Sequence, residues 1–287
     1  MSRFDGSLVP NVHPVRRIMP FIMPGRNEAF VLFEQQIPTA PLVALLERLN
    51  AVRDPARRIT LFHCVLHAIG MVFAEFPRLN RFTMGSRLYQ RNGIWLAFSA
   101  KQRLAIDAPI FTAKVRFDPA EPLPVFVDRV LAALGEGRSG KETSTDREIA
   151  GFLKLPMPVL RFAVRMQRRL DAWGLLPRAL IADDPLYASA FVANLGSVGL
   201  DAAFHHLYEY GSIPIFATMG RVHRAPAVLP DGSVASREVF AMRYTYDERV
   251  EDGFYAARAL ERLADLLAAP DRLVTASGGS SSPTSRA

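Results

Sequence analysis

The most constraining feature of this 287-residue chain is the run "YTYDERVEDGFYAARALERLADLL", residues 244–267. It reads as a β-strand that ends in a tight acidic turn and passes directly into an amphipathic helix. A strand and a helix so joined each need an apolar layer to bury their inner side, which favours a sheet covered by helices.

The rest of the chain repeats that grammar. Residues 28–38, "EAFVLFEQQIP", read as a strand, and Leu42, Leu45, Leu46 and Leu49 have the spacing of a helix over about 40–53. Thr60 is a plausible N-cap for a buried helix that stops at Pro77. Asn92-Gly93 is a strong short hairpin signal between "RLYQ" and "IWLAFSAK". "APIFTAKVRF" adds a strand and "LPVFVDRVLAAL" a helix; the last third alternates "YASAFVANLG", "PIFATMGRV" and "REVFAMRYTYD". There is no internal repeat and no long linker. The expectation is one α/β domain, a mixed sheet flanked by helices, over residues 28–274. An N-terminal extension (1–27) precedes it, a helical insertion interrupts it at about 135–182, and a low-complexity tail (275–287) follows.

Composition limits the classes of function. An apolar share of 49% and a charged share of 22% are those of a folded protein. Pro or charge interrupts the longest apolar runs, so no membrane span is expected. Pro10, Pro14, Pro20 and Pro24 break the N-terminus and argue against a secretory signal. A single cysteine, Cys64, excludes an intrachain disulfide and makes a reducing cytoplasm the expected setting. The net charge of +7 comes almost wholly from arginine and favours anionic partners. Those arginines are scattered and no recognition motif accompanies them, so nucleic acid is not expected.

The segment "YDERVEDG" resembles the closing "YDHRxxDG" motif of chloramphenicol acetyltransferases and of the acyltransferase components of 2-oxoacid dehydrogenases. Tyr246, Asp247, Arg249, Asp252 and Gly253 match, and Glu248 stands where that family has its histidine. Other pieces follow in family order. "FPRLNRF", with Pro77, Leu79 and Asn80, resembles "P-x-L-N"; "FVANLGSVGL", with Asn194, Leu195 and Gly196, resembles "FTISNLGxxG"; and "PIFATMGRV" resembles the next strand. The likeness covers roughly 28–120 and 185–273. It implies a mixed sheet flanked by helices, a homotrimer with active sites between subunits, and an acyl-CoA, acyl-carrier or lipoyl thioester as co-substrate, with no tightly bound cofactor. It also implies a base at position 248 that deprotonates the acceptor, and a serine from the neighbouring subunit that steadies the oxyanion. Asp252, Arg249 and Gly253 are then structural residues of the site, Asp252 typically pairing with an arginine. With no lipoyl domain expected, membership of a dehydrogenase core is not.

Two departures bear on that mechanism. The family serine falls on Ala193, which leaves Ser189 or Asn194 as the candidate oxyanion donor. A solvated glutamate has a pKa about 2 units below histidine, a handicap of up to about 3 kcal/mol in proton transfer that only burial would offset. His205 and His206, in "FHHLYEYG", are the spare bases. The expected function is acyl transfer to a hydroxyl, amine or thiol acceptor, with Glu248, His205 or His206 as base; the alternative is an inactive trimeric scaffold or thioester-binding protein.

Other patterns carry less. "GEGRSGKE" (135–142) mimics a phosphate-binding loop but ends in Glu142 and follows a helix rather than a strand. His63 and His67 lie four apart on one helical face without a third ligand, so core packing is expected and metal is not. Cys64, in the same helix, is expected to be inert. The stretch 153–181 sets Lys154, Arg161, Arg165, Arg168, Arg169 and Arg178 among Leu, Phe, Met and Trp173, against Asp171 alone. Apolar residues with a basic face fit a helix at an anionic membrane surface or a lid over a lipidic acyl chain, and with the resemblance above suggest a lipidic substrate; the alternative is a helix packed on the sheet with its arginines in water.

Overall fold

The computed structural model describes residues 3–103, 105–139, 151, 154–229 and 231–274. A six-stranded mixed sheet has the order β2-β9-β8-β7-β5-β6. Its strands are β2 (Phe30–Pro38), β5 (Ile94–Lys101), β6 (Ile110–Phe117), β7 (Ala190–Asn194), β8 (Ile215–Val228) and β9 (Val234–Asp247). β7 pairs in parallel with both β5 and β8, and the other pairings are antiparallel. A central strand covered on both faces should read as a continuous apolar run, and Ala190–Ala193 are all buried.

One face of the sheet carries the main core. Leu96, Phe98, Ala190, Val192, Ala217, Met242, Tyr244 and Tyr246 pack under α3 (Leu61–Glu75), α4 (Leu123–Arg138) and α6 (Gly253–Ala268), with α2 (Ala40–Asn50) alongside. By composition alone, residues 55–75 are long and apolar enough to cross a membrane. Here α3 is apolar on all sides because it runs through the core, with 11 of its 15 residues buried. Thr60 caps it, and the His63 ring accepts from the Thr60 main-chain N–H at 3.1 Å. His67 reaches the Glu121 carbonyl at 3.2 Å and packs edge-on against Phe117 and Phe126. Burial pushes both imidazoles down to about 4 and the Cys64 thiol up to about 12. These are core groups, and among the described residues no cluster could hold a metal.

A second, three-stranded sheet, β1-β4-β3, is built from β1 (Gly6–Leu8), β3 (Arg81–Met84) and β4 (Arg87–Arg91). The hairpin expected at Asn92-Gly93 is not there, because β4 and β5 belong to different sheets. The tight hairpin is β3–β4, closed by Gly85 and Ser86, both at positive φ, as a two-residue turn of that twist requires. A Cβ on Gly85 would lie 2.2 Å from the Ala172 carbonyl oxygen. Gly85→Ala therefore combines left-handed backbone strain of about 1–2 kcal/mol with a collision against main chain, and a denaturant melt should show at least that loss. Ala172 ends α5 (Met157–Ala172), the helix of the insertion. After α5 the chain is tied back to the sheet by Lys114, whose ammonium donates to the carbonyls of Ile181, Ala182 and Asp184. Residues 1–27 contribute β1 and α1 (Pro14–Ile22). The loop-like pattern at 135–142 lies partly in α4 and partly outside the described residues.

Candidate active site

The turn after β9 is a small rigid frame. Asp247, wholly buried, grips Arg249 through two hydrogen bonds of 2.8 Å, and the same guanidinium donates to the carbonyls of Met23 and Pro24. The Asp247 N–H is held by the Pro214 carbonyl, and the Tyr246 hydroxyl donates to the Glu251 carbonyl at 2.8 Å. The Glu251 carboxylate is buried and faces three arginines: Arg81 at 2.9 Å, Arg16 at 3.7 Å and Arg78 at 3.8 Å. Asp252 caps α6 by accepting the Tyr255 N–H at 2.9 Å, a bond that holds its carboxyl below the usual range. Among the described residues Asp252 forms no ion pair; Arg16 instead takes its neighbour Glu251.

Glu248 sits at the crest of this frame. Its N–H donates to the Ala29 carbonyl at 3.0 Å, and its own carbonyl accepts from Arg16 at 2.8 Å. The side chain is half-buried and makes no hydrogen bond or ion pair among the described residues. Every other charged side chain between Asp247 and Asp252 is engaged. A Cβ added to Gly253, the first residue of α6, would meet nothing within 4 Å.

Ala193 and His205 lie on the sheet face turned away from the main core. There Phe191, Ala193 and Phe216 form a smaller cluster with Leu207 and Ile213. Ala193 pairs with Thr218 on β8, and the Thr218 hydroxyl is already donated to the Ala203 carbonyl at 2.6 Å. Ser189 is fully buried and its Oγ accepts the Trp95 N–H at 2.9 Å. The Asn194 Oδ1 caps the following turn through the Ser197 N–H, leaving its amide nitrogen without a partner among the described residues. Gly196 must be glycine because a Cβ there would lie 2.5 Å from the Gly220 carbonyl oxygen, the close approach that gives "NLG" its last letter. The His205 ring stacks on Phe216 at 3.8 Å between centroids, and burial lowers its pKa; His206 is exposed. No hydrogen bond or ring contact joins either histidine to Glu248 among the described residues.

A mixed sheet of this order, with a strand, acidic turn and helix closing the domain, defines a chloramphenicol-acetyltransferase-like acyltransferase fold. Residues 179–275 match the family model of the 2-oxoacid dehydrogenases acyltransferase (catalytic domain). Its structure is similar to that of a probable dihydrolipoamide acetyltransferase from Listeria monocytogenes (TM-score 0.60, 14% identity, covering 96% of this chain and 97% of that one). It is also similar to the dihydrolipoamide acetyltransferase of Azotobacter vinelandii, in which a serine, a histidine and an asparagine have been investigated for their role in catalysis (0.60, 16%, 92% and 94%). A chloramphenicol acetyltransferase aligns with a TM-score of 0.54 at 12% identity over 91% of this chain and 99% of that one. No curated protein matches the chain.

Proposed function

We propose that the chain is an acyltransferase that moves an acyl group from a thioester to a hydroxyl, amine or thiol acceptor, with Glu248 as the base. The observation that carries this reading is the free Glu248 carboxylate in a turn whose other charges are all engaged. In the proposed step Glu248 takes the acceptor's proton as the acceptor attacks the thioester carbonyl. The tetrahedral oxyanion collapses, and the departing thiolate recovers a proton from Glu248. Assembly as a homotrimer would bring the Asn194 amide of one subunit to the Glu248 turn of the next, supplying the oxyanion donor that Ala193 lacks. The test is free-thiol release from a panel of acyl-CoA and acyl-pantetheine donors with hydroxyl, amine and thiol acceptors. Turnover dependent on acceptor supports the reading, and none with any pair sinks it.

One observation favours a thioester-binding trimer without chemistry. Ala193 has no hydroxyl, and the nearby Ser189 is fully buried. That reading predicts thioester affinity by calorimetry and no product.

A peripheral membrane setting, on the cytoplasmic side, belongs to the same proposal. Leu160, Ala163, Gln167, Leu170 and Asp171 form the inward side of α5. Outward, Arg161, Arg165 and Arg169 make one stripe, and exposed Val159, Phe162 and Met166, continued by Trp173, make the next. Adjacent basic and apolar stripes suit an anionic lipid surface and a lipidic acceptor. Co-sedimentation with phosphatidylserine vesicles should fall sharply in a Phe162→Ser, Trp173→Ser variant and at high salt; absence of binding by the unaltered chain rejects it.

A further inference from the structure

Between the tip of the β3–β4 hairpin, the end of α1 and the last turns of α5 lies a polar cavity of about 220 Å³. Its lining charges do not cancel. Arg249 is neutralised by Asp247, and Asp171 by Arg3 at 2.7 Å. Arg26 and Arg168 are left facing Glu209 alone, and the Glu209 carboxylate already accepts from the Asn27 main-chain and side-chain N–H groups at 3.0 and 3.1 Å.

Arg26 is the more telling of the two. It is only 4% exposed and forms no ion pair among the described residues. Its side-chain hydrogen-bond partners among the described residues are neutral: the carbonyls of Tyr208 and Glu209, at 3.1 and 3.0 Å, and that of Thr83 at 3.3 Å. A buried cation whose side-chain hydrogen bonds all go to carbonyls carries a desolvation cost that the charges of Asp247, Glu209 and Asp171 offset only in part, so burial leaves its pKa lowered. Thr83, 5% exposed, lines the same cavity with a buried hydroxyl that has no hydrogen-bond partner among the described residues. A water could satisfy the hydroxyl but not the charge. The volume is many times the roughly 10–15 Å³ that a single water requires by such a measure.

We propose that this cavity binds a small anion through a carboxylate or phosphate group, held between Arg26 and Arg168 and accepting from the Thr83 hydroxyl. Glu248 does not line the cavity, although its neighbour Arg249 does, and anion binding is measured without any acyl transfer. It can be tested by calorimetric titration of the full chain with inorganic phosphate and with succinate, at constant ionic strength set by chloride. Saturable binding of at least one is expected, and which one saturates distinguishes a phosphate-bearing from a carboxylate-bearing ligand. Arg168→Gln removes an exposed side chain, and Thr83→Val replaces an unpaired hydroxyl by a methyl of the same shape, so neither threatens folding. Each should weaken binding about tenfold or more, as loss of a hydrogen bond to a charged group does, while Glu248→Gln leaves it unchanged. No saturable binding of either anion, or wild-type affinity in both variants, would overturn the proposal.

Discussion

Replacing Arg249 by methionine is expected to destabilise the protein by about 3–5 kcal/mol, the range for removing one partner of a buried ion pair. The pair is almost wholly dry, with side-chain exposures of 3% for Arg249 and 1% for Asp247. Losing the guanidinium strands the Asp247 carboxylate in the interior and also frees the Met23 and Pro24 carbonyls. The penalty is therefore mostly that of an uncompensated charge. A double change, Arg249→Met with Asp247→Asn, should recover part of the loss, because the stranded charge is gone. Equal instability of the single and double variants in urea melts would mean that packing rather than charge holds the turn. The turn carries Glu248, so the single variant should also lose any transfer activity at temperatures where it remains folded.

The second large effect is on acid stability. Burial draws His63 and His67 down to about 4, from an ordinary value of 6.5, with the Arg53 charge adding to the effect at His63. Above pH 6.5 both imidazoles are neutral in the folded and unfolded chain, and no penalty exists. Between 6.5 and 4 the unfolded chain binds protons that the folded one cannot, so stability falls as pH falls. At about 1.4 kcal/mol per tenfold, the loss approaches roughly 3 kcal/mol per histidine by pH 4. His67→Phe, set against Phe117 and Phe126, should flatten this slope in melts from pH 7 to 4. An unchanged slope would place the acid-sensitive group elsewhere.

Much of the architecture was legible because it depends on local pattern. The leucine spacing of 42–49, the Thr60 cap with the Pro77 stop, and the alternation of the last strands each read directly into an element. The hairpin was misplaced because Asn92-Gly93 carries the stronger local turn signal, whereas β4 turns at Gly85-Ser86 and then crosses to another sheet. That crossing is fixed by β1, whose partner on β4 lies more than 80 residues away in sequence. The acidic turn and Glu248 were legible from the motif. Its frame was not: Arg16 reaches Glu248 across 232 residues, and Arg26 reaches Thr83 across 57. Arginines scattered along a sequence give no sign of which carboxylate or carbonyl each will meet. The same limit applies to Ser189, whose burial follows from its bond to Trp95, 94 residues earlier.

Glu248 as the acid–base group of an acyl transfer is tested most directly by the pH–rate profile of the wild type beside Glu248→Gln and Glu248→His. With whichever thioester and acceptor prove productive, Glu248→Gln should lower kcat by about 10²–10⁴-fold, the usual contribution of a positioned base. It should do so without changing the oligomeric state. Glu248→His should retain transfer and show a new inflection near the ordinary histidine value of about 6.5. Wild-type rates in the glutamine variant, or a histidine variant with an unaltered profile, would contradict the assignment.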